Sequence, residues 1–599
     1  MPVAFFPPYL KICFARFGHF IGLFLVGMGS IMGQSDPHVD LDDNQTPTWA
    51  EVIQVFEDFA AQTKFASLIE IGQSDVGRPI HAFVLSENAS EISSAKDLEG
   101  IRESHPERLS FLINNAIHPG EPCGVDASVG WVRELMANQK RLKEVLSHMD
   151  VAIIPMYNVG GALNRNCCSR TNQDGPESYG FRGNAKNLDL NRDFIKMDSE
   201  NAFAFVNLFH SLAPHVFIDT HTTNGADYPY TMTLIYTQMD KAGPVLGPYI
   251  QSKFRPQLEQ KMVAADEPAI PYVNTRDQTP ESGLMGFLET PRYSTGYAAL
   301  FGTIGITSEA HMLKPFPKRV RATKTLLESC VNLMIEQKEE ILKLKLAEHQ
   351  RLFESTQLPI HWILNEQDST ELEFSGYAAR REISAVTGDI RLRYDRDSVW
   401  TQRIPYFNQY DADTWASIPE FFVLPQAWGE VIQRLEANRI EWRTLPRDTV
   451  MEVRVDYIDG FRSSAWPYEG HHLNGLDGLS ESVQPILFFE GDLIIPTDQS
   501  GIRYLMETLD PRGHDSFFVW NFFDGVMQRK EGYSAYVFEE TALGMLELDP
   551  ALKEEFESER MSNPDLKQAR SQLEWLYQRS VHHESSVNRY PVFRSLQNR

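Results

Sequence analysis

His118 and Glu121 stand three residues apart at the end of the apolar run 109–117, and His221 closes a second apolar run, 216–220, one hundred residues after Glu121. Two imidazoles and one carboxylate are the donor set of a catalytic zinc, which takes nitrogen and oxygen ligands at about 2.0–2.2 Å and keeps a fourth position for water. The first run reads as a buried strand. Pro119 stops it, Gly120 lets the chain turn, and Glu121 falls where a helix can begin. Both histidines are thus expected at the carboxyl ends of strands, the edge on which open α/β sheets carry their sites. His215 precedes its run and is expected at the opposite edge. One Zn2+ per chain is the cofactor this donor set implies.

Zinc brings the pKa of bound water from 15.7 toward about 7, so a neighbouring carboxylate can take the proton and direct hydroxide at a carbonyl. Glu309, following the apolar strand 303–307, is the candidate for that base. Arg192 offers a planar fork that can hold a carboxylate in two hydrogen bonds, and Asn191 adds a neutral donor, which together would demand a substrate with a free C-terminus. Asp219, two residues before His221, either orients a ligand or is a buried structural acceptor. His311 reads as an ordinary satisfied histidine near the rim, and Glu469-Gly470-His471-His472 reads as a loop, since no ligand partner stands at a recognisable spacing.

The order of these residues resembles the zinc carboxypeptidase family typified by pancreatic carboxypeptidase A. HxxE comes first (118–121), then an Asn-Arg pair (191–192), then His (221), then a strand-borne Glu (309), and Ile71-Gly72-Gln73-Ser74-Asp75-Val76-Gly77-Arg78-Pro79-Ile80 is similar to the hairpin near the start of that catalytic domain. The likeness covers roughly residues 48–350. It implies an arginine at the oxyanion, with Arg165, Arg170 and Arg182 available and Arg170 favoured for its polar surroundings and its distance from the Asn-Arg pair. It also implies a mobile tyrosine before the base, with Tyr297 favoured over Tyr293. The resemblance points to a metallocarboxypeptidase acting on peptide or protein C-termini. A deacylase of N-acyl amino acids on the same fold, and a silent relative that only binds peptides or cell-wall fragments, are the alternatives. If Ser294 or Thr295 floors the side-chain pocket, no strong demand for a basic terminal residue is expected.

Length and composition frame the rest. At 599 residues, 42% hydrophobic and 11% aromatic, the chain is folded and long enough for two domains. Lys11 and Arg16, the apolar segment 20–28 and the small residues through Gly33 read as a secretory signal peptide (1–33), so a secreted or periplasmic location is expected, without a stable membrane span. Loss of 1–33 would move the net charge from −26 to −28, which disfavours nucleic acid as a partner. The composition leaves oligomeric state undetermined. Four cysteines remain, too few for a disulfide framework, and adjacent Cys167 and Cys168 are not expected to form a relaxed bridge with each other.

Short apolar runs at 111–117, 151–155, 216–220 and 303–307 alternate with helical patterns at 126–135 and 199–209, and a periodic segment at 319–349 closes the first region. The expected fold is α/β: an α/β/α sandwich with a mixed, mostly parallel twisted sheet over residues 48–350, then a β-rich domain over 371–548 and a helical segment over 549–599. The aromatic stretch 515–524 reads as core.

Overall fold

In the computed structural model, which describes residues 42–599, an eight-stranded sheet carries the residues singled out above. The signal-peptide reading of 1–33 lies outside the described residues. The strands are β1 (Ala66–Gln73), β2 (Pro79–Leu85), β3 (Leu109–Asn114), β4 (Met149–Ile154), β5 (Val216–Thr223), β6 (Met232–Tyr236) and β7 (Ala269–Pro271); β8 (Leu284–Met285) lies outside the sheet, and β9 (Ile304–His311) completes it. Their order is β1-β2-β4-β3-β5-β9-β6-β7. The four middle strands run parallel, with antiparallel partners at β1, β2 and β6.

The middle strands are buried on both faces, so they need no alternation of polar and apolar residues. Phe111 and Ile113 point into an apolar layer shared with helices Trp49–Gln62, Cys123–Ala137 and Phe316–Glu336, whereas Leu112 points into the opposite layer with Phe205 and Phe209 of helix Glu200–Leu212. The sheet lies between helical layers, as the sequence predicts. Its strand ends differ from the expectation in one useful way. β3 stops at Asn114 and Ala116 takes a left-handed φ of 55°, so a short turn separates the strand from His118. β5 and β9 run further than expected, and His221 and Glu309 sit opposite one another within them.

Helices Phe316–Glu336 and Lys338–Glu354 lead to the β-rich half, which begins at β10 (Gln357–Leu364), before the expected residue 371. A long ribbon of β11 (Thr370–Ile383) and β12 (Ile390–Phe407) takes β8 at its edge, and β13 (Tyr410–Ser417) pairs with β10. β14 (Phe421–Leu424), β15 (Arg443–Thr444), β16 (Thr449–Ser463), β17 (Asn474–Phe488), β18 (Leu493–Pro496) and β19 (Phe593–Arg594) form a sheet in the order β15-β18-β14-β19-β16-β17. Helical structure starts at Ala535, ahead of the expected 549.

Packing does not respect the halves: the described residues, 42–599, lie in one compact unit, and a single buried cluster holds Phe205 and Tyr297 together with Leu435, Tyr504 and Trp520. Phe517, Phe518, Trp520 and Phe523 are core residues. Cys167 and Cys168 are joined, contrary to the expectation from their adjacency, and sit exposed on the loop that carries Arg170. Among the described residues no helix is long and apolar enough to cross a membrane.

Asp126, in the first turn of helix Cys123–Ala137, is buried; Thr46 Oγ1 donates to its Oδ2 at 2.7 Å while Oδ1 finds no partner. Burial outweighs that hydrogen bond and pushes the carboxyl up to about 7. The folded chain therefore holds a proton that the unfolded chain releases above about 3.9, and stability falls as pH rises between those values. Asp126→Asn should leave the melting temperature unchanged near pH 4 and raise it progressively up to pH 7–8. Thermal melts across that range check this; equal melting of the two proteins at pH 8 would contradict it.

Candidate metal centre

The turn after β3 is closed by its own backbone: the N–H of Glu121 donates to the carbonyl of His118 at 2.8 Å. Two glycines make the turn possible. A Cβ on Gly120 would meet Arg170 Cδ at 2.8 Å, and one on Gly124 would meet Thr220 Oγ1 at 2.0 Å, so the helix start can press against β5 only without side chains there. β5 lies beside β3 and brings His221 to the same place. The outcome is a buried triad: His118 Nδ1 lies 3.2 Å from His221 Nδ1 and 3.4 Å from Glu121 Oε1, and His221 Nδ1 lies 3.2 Å from Glu121 Oε2.

The far nitrogens decide what these atoms are. His118 Nε2 meets Asp189 Oδ1 at 2.7 Å and His221 Nε2 meets Asp219 Oδ2 at 3.1 Å, so each ring has a carboxylate that can hold a proton on Nε2 and faces the centre with Nδ1, the nitrogen whose lone pair a metal would take. Two lone pairs and a carboxylate facing one another within hydrogen-bond distance call for a cation. Four ligands at about 2.1 Å in a tetrahedron stand about 3.4 Å apart, which is the spacing observed here, so the residues fit zinc. The triad is also the one His/Cys/Asp/Glu group of this kind among the described residues. It already draws positive charge: Arg182 Nη1 lies 3.2 Å from His118 Nδ1 and 3.3 Å from Glu121 Oε1. Burial opposes ionisation of Glu121, but Arg170 and His118 hold it well below the carboxylate range. Burial likewise opposes a charged His221, yet Asp219 and Glu121 hold it well above its ordinary value.

Around the triad lies a cleft lined by Arg170, Arg182, Asn191, Arg192, Glu289, Tyr293 and Glu309. The Glu309 carboxylate accepts no hydrogen bond from the described protein. Burial, reinforced by Glu121 and Glu289 against the pull of His221, pushes it up to about 8. Arg192 is held flat, with Nε donating to Tyr468 OH (2.9 Å), Nη1 to Asn191 O (2.7 Å), and its guanidinium 4.2 Å over the Tyr293 ring. Asn191 Oδ1 accepts from the N–H of Ser294 at 3.0 Å, which leaves its Nδ2 as the group able to meet a ligand.

The structure separates the two arginines and the two tyrosines. All three donor nitrogens of Arg170 are taken up, by Gln173 Oε1, Glu121 Oε1 (2.7 Å) and the carbonyl of Thr222, and its side chain is 16% exposed. Arg182, anchored on Asp189 by Nε and Nη2, is 45% exposed and turns Nη1 to the triad. Tyr293 lines the cleft. Tyr297, favoured from sequence, is fully buried instead: it belongs to the helix Ser294–Ala299, packs among Phe194, Phe209 and Phe301, and donates its hydroxyl to Asn438 Oδ1 at 2.7 Å. His311 and His215 are satisfied away from the triad, by Ala226 O and Ser110 respectively.

Four contributors escape the sequence reading. Asp189 was visible in Leu188-Asp189-Leu190-Asn191 only as an acid two residues before the Asn-Arg pair. Glu289 is buried on the cleft wall, accepts from Thr307 Oγ1 at 2.8 Å, and is pushed up to about 7 by burial. Ser294 and Thr295 are buried and lie outside the lining of the cleft, Ser294 Oγ donating to Asp219. Tyr468 and Glu469 arrive from the β-rich half, where the sequence shows only a loop.

Residues 52–224 match the zinc carboxypeptidase family model. Among curated proteins, carboxypeptidase 2 of Trichophyton equinum is 22% identical over 464 residues, covering 74% of this chain and 78% of that protein. Carboxypeptidase 2 of Trichophyton rubrum is 20% identical over 497 residues, covering 80% and 84%. Solved structures that align include carboxypeptidase A from Helicoverpa armigera (14% identity, TM-score 0.36, 49% of this chain and 74% of that one) and a metallo-carboxypeptidase from Pseudomonas aeruginosa (14%, TM-score 0.35, 49% and 69%).

His118→Ala should abolish stoichiometric zinc in a folded protein, and Asp189→Asn should weaken zinc about 10- to 100-fold by freeing the His118 ring. Metal content and chelator competition measure both. Unchanged affinity in Asp189→Asn would reduce Asp189 to a structural role.

Proposed function

We propose that the chain, whose residues 52–224 match the zinc carboxypeptidase family model, is a member of that family and a single-zinc hydrolase that releases residues from the C-termini of peptides or proteins. The observation that carries this reading is the pair of inward Nδ1 lone pairs closing on Glu121, with Glu309 in register beside them. His118, Glu121 and His221 would hold zinc, which when bound supplies an acidified water and a polarised carbonyl. Glu309, once ionised, as a cation bound beside it would favour against the effect of burial, takes the proton of the attacking water and returns it to the leaving amine; its lack of protein hydrogen bonds leaves it free to shuttle. Arg182 is placed to donate to the developing oxyanion, and Arg170 serves to fix Glu121, the reverse of the sequence expectation. Arg192 and Asn191 receive the terminal carboxylate, with Tyr293 beneath the guanidinium.

Glu289 adds an acid to the wall where the substrate side chain lies, in place of the neutral Ser294 or Thr295. This favours a basic or amine-bearing terminal residue over the indifferent pocket expected from sequence. The sequence reading of 1–33 as a secretory signal peptide and the bridged Cys167–Cys168 support action outside the cytoplasm. Retention of Glu309 together with His118, Glu121 and His221 speaks against a silent binder. A deacylase of N-acyl amino acids would use the same carboxylate clamp, and a panel of free peptides against N-acyl amino acids separates the two.

Glu309→Gln should keep zinc while kcat falls by about 100-fold or more, read from release of C-terminal amino acids. Near-normal turnover would require another base. Glu289→Gln should lower kcat/KM for peptides ending in Lys or Arg relative to those ending in Leu. A ratio that does not move removes Glu289 from substrate selection.

A further inference from the structure

The segment between β16 and β17 belongs to the β-rich half, yet its tip rests on the catalytic cleft. Tyr468 and His471 pair through N–H···O bonds of 2.7 and 3.0 Å, and Glu469 (φ 50°) and Gly470 (φ 85°) between them are both left-handed, so the tip is a closed hairpin turn. A left-handed glutamate is costly unless something holds it. Here Glu469 Oε2 accepts from the backbone N–H of Asp189 at 2.7 Å, and Tyr468 OH accepts from Arg192 Nε at 2.9 Å. His471 Nε2 meets Asp198 Oδ2 at 2.8 Å, and Arg434 donates to the carbonyls of Lys196 and Met197. On the other wall Asp515, fully buried, accepts from both the N–H and Nε of Arg292, next to Tyr293.

Both chain segments that bear the carboxylate-facing groups therefore lie on residues from after 430. We infer that the β-rich half is a working part of the subsite for a peptide's terminal carboxylate, and that Tyr468 is a positioning residue that sets the angle of the Arg192 fork. This rests on the reading of Arg192 as the carboxylate receptor. Arg192 is otherwise held by its own neighbour Asn191, by the Tyr293 ring and by a 4.0 Å ion pair of Nη1 with Asp189 Oδ2, none of which takes up Nε, so the fork keeps freedom to turn. The Tyr468 hydroxyl removes that freedom.

The test is steady-state kinetics on the full chain with Tyr468→Phe, which removes one oxygen. KM for a peptide with a free C-terminus should rise about tenfold, kcat should stay within about twofold, and zinc content and melting temperature should not change. The Ki of 3-phenylpropionate, a carboxylate with no peptide bond, should rise by the same factor, while that of acetohydroxamate, a zinc binder without a carboxylate, should not. In an Arg192→Ala background Tyr468→Phe should have no further effect. An unchanged KM in Tyr468→Phe alongside a raised KM in Arg192→Ala overturns the positioning role and leaves the carboxylate reading intact. An unchanged KM in Arg192→Ala overturns that reading itself. Parallel loss of zinc, stability and kcat in Tyr468→Phe would make the contact merely structural and overturn the inference.

Discussion

Everything in the cleft depends on where two protons sit. Asp189 and Asp219 draw the Nε2 protons of His118 and His221 away from the centre, and only then can both rings present lone pairs to one point alongside Glu121. Remove that arrangement and the centre becomes two imidazoles with arbitrary tautomers in a buried space. The same two carboxylates reach further out. Asp189 anchors Arg182, and Asp219 accepts from Asn114 and Ser294, so the triad, the Arg182 guanidinium and the strand ends share a single set of hydrogen bonds.

Charge balance gives the cleft its chemistry. Glu121 lies under Arg170 and Arg182 and stays ionised, whereas Glu309 and Glu289, lacking such partners, are pushed toward neutrality by burial. Carboxyls of one residue type thus divide into a ligand that keeps its charge and groups that can carry protons. Environment makes that division, because residue type alone cannot.

The strands, the HxxE turn and the order of the ligands were legible in sequence because they are local: a continuous apolar run, a proline stop, a glycine without room for a side chain. What was not legible depends on contacts between distant segments. Arg170 and Arg182 share one loop and look alike until their hydrogen bonds are known, and Tyr293 and Tyr297 differ only in which face of a short helix start they occupy. Tyr297 is held by Asn438, more than a hundred residues later, and Arg192 by Tyr468. No local pattern marks either partner. The change of texture near residue 370 suggested an independent second domain, but the apolar layer beneath helix Glu200–Leu212 continues into it without a seam.

β19 is inserted between β14 and β16, although it is synthesised more than a hundred residues after both. The support for the hairpin that touches Arg192 is therefore unfinished while the nascent polypeptide is still shorter than about residue 594. A nascent chain cut short of that strand carries His118, Glu121, His221 and Glu309 without the finished sheet behind Tyr468. The order of synthesis thereby puts the cleft residues of the first half well ahead of the last strand on which the Tyr468 hairpin rests.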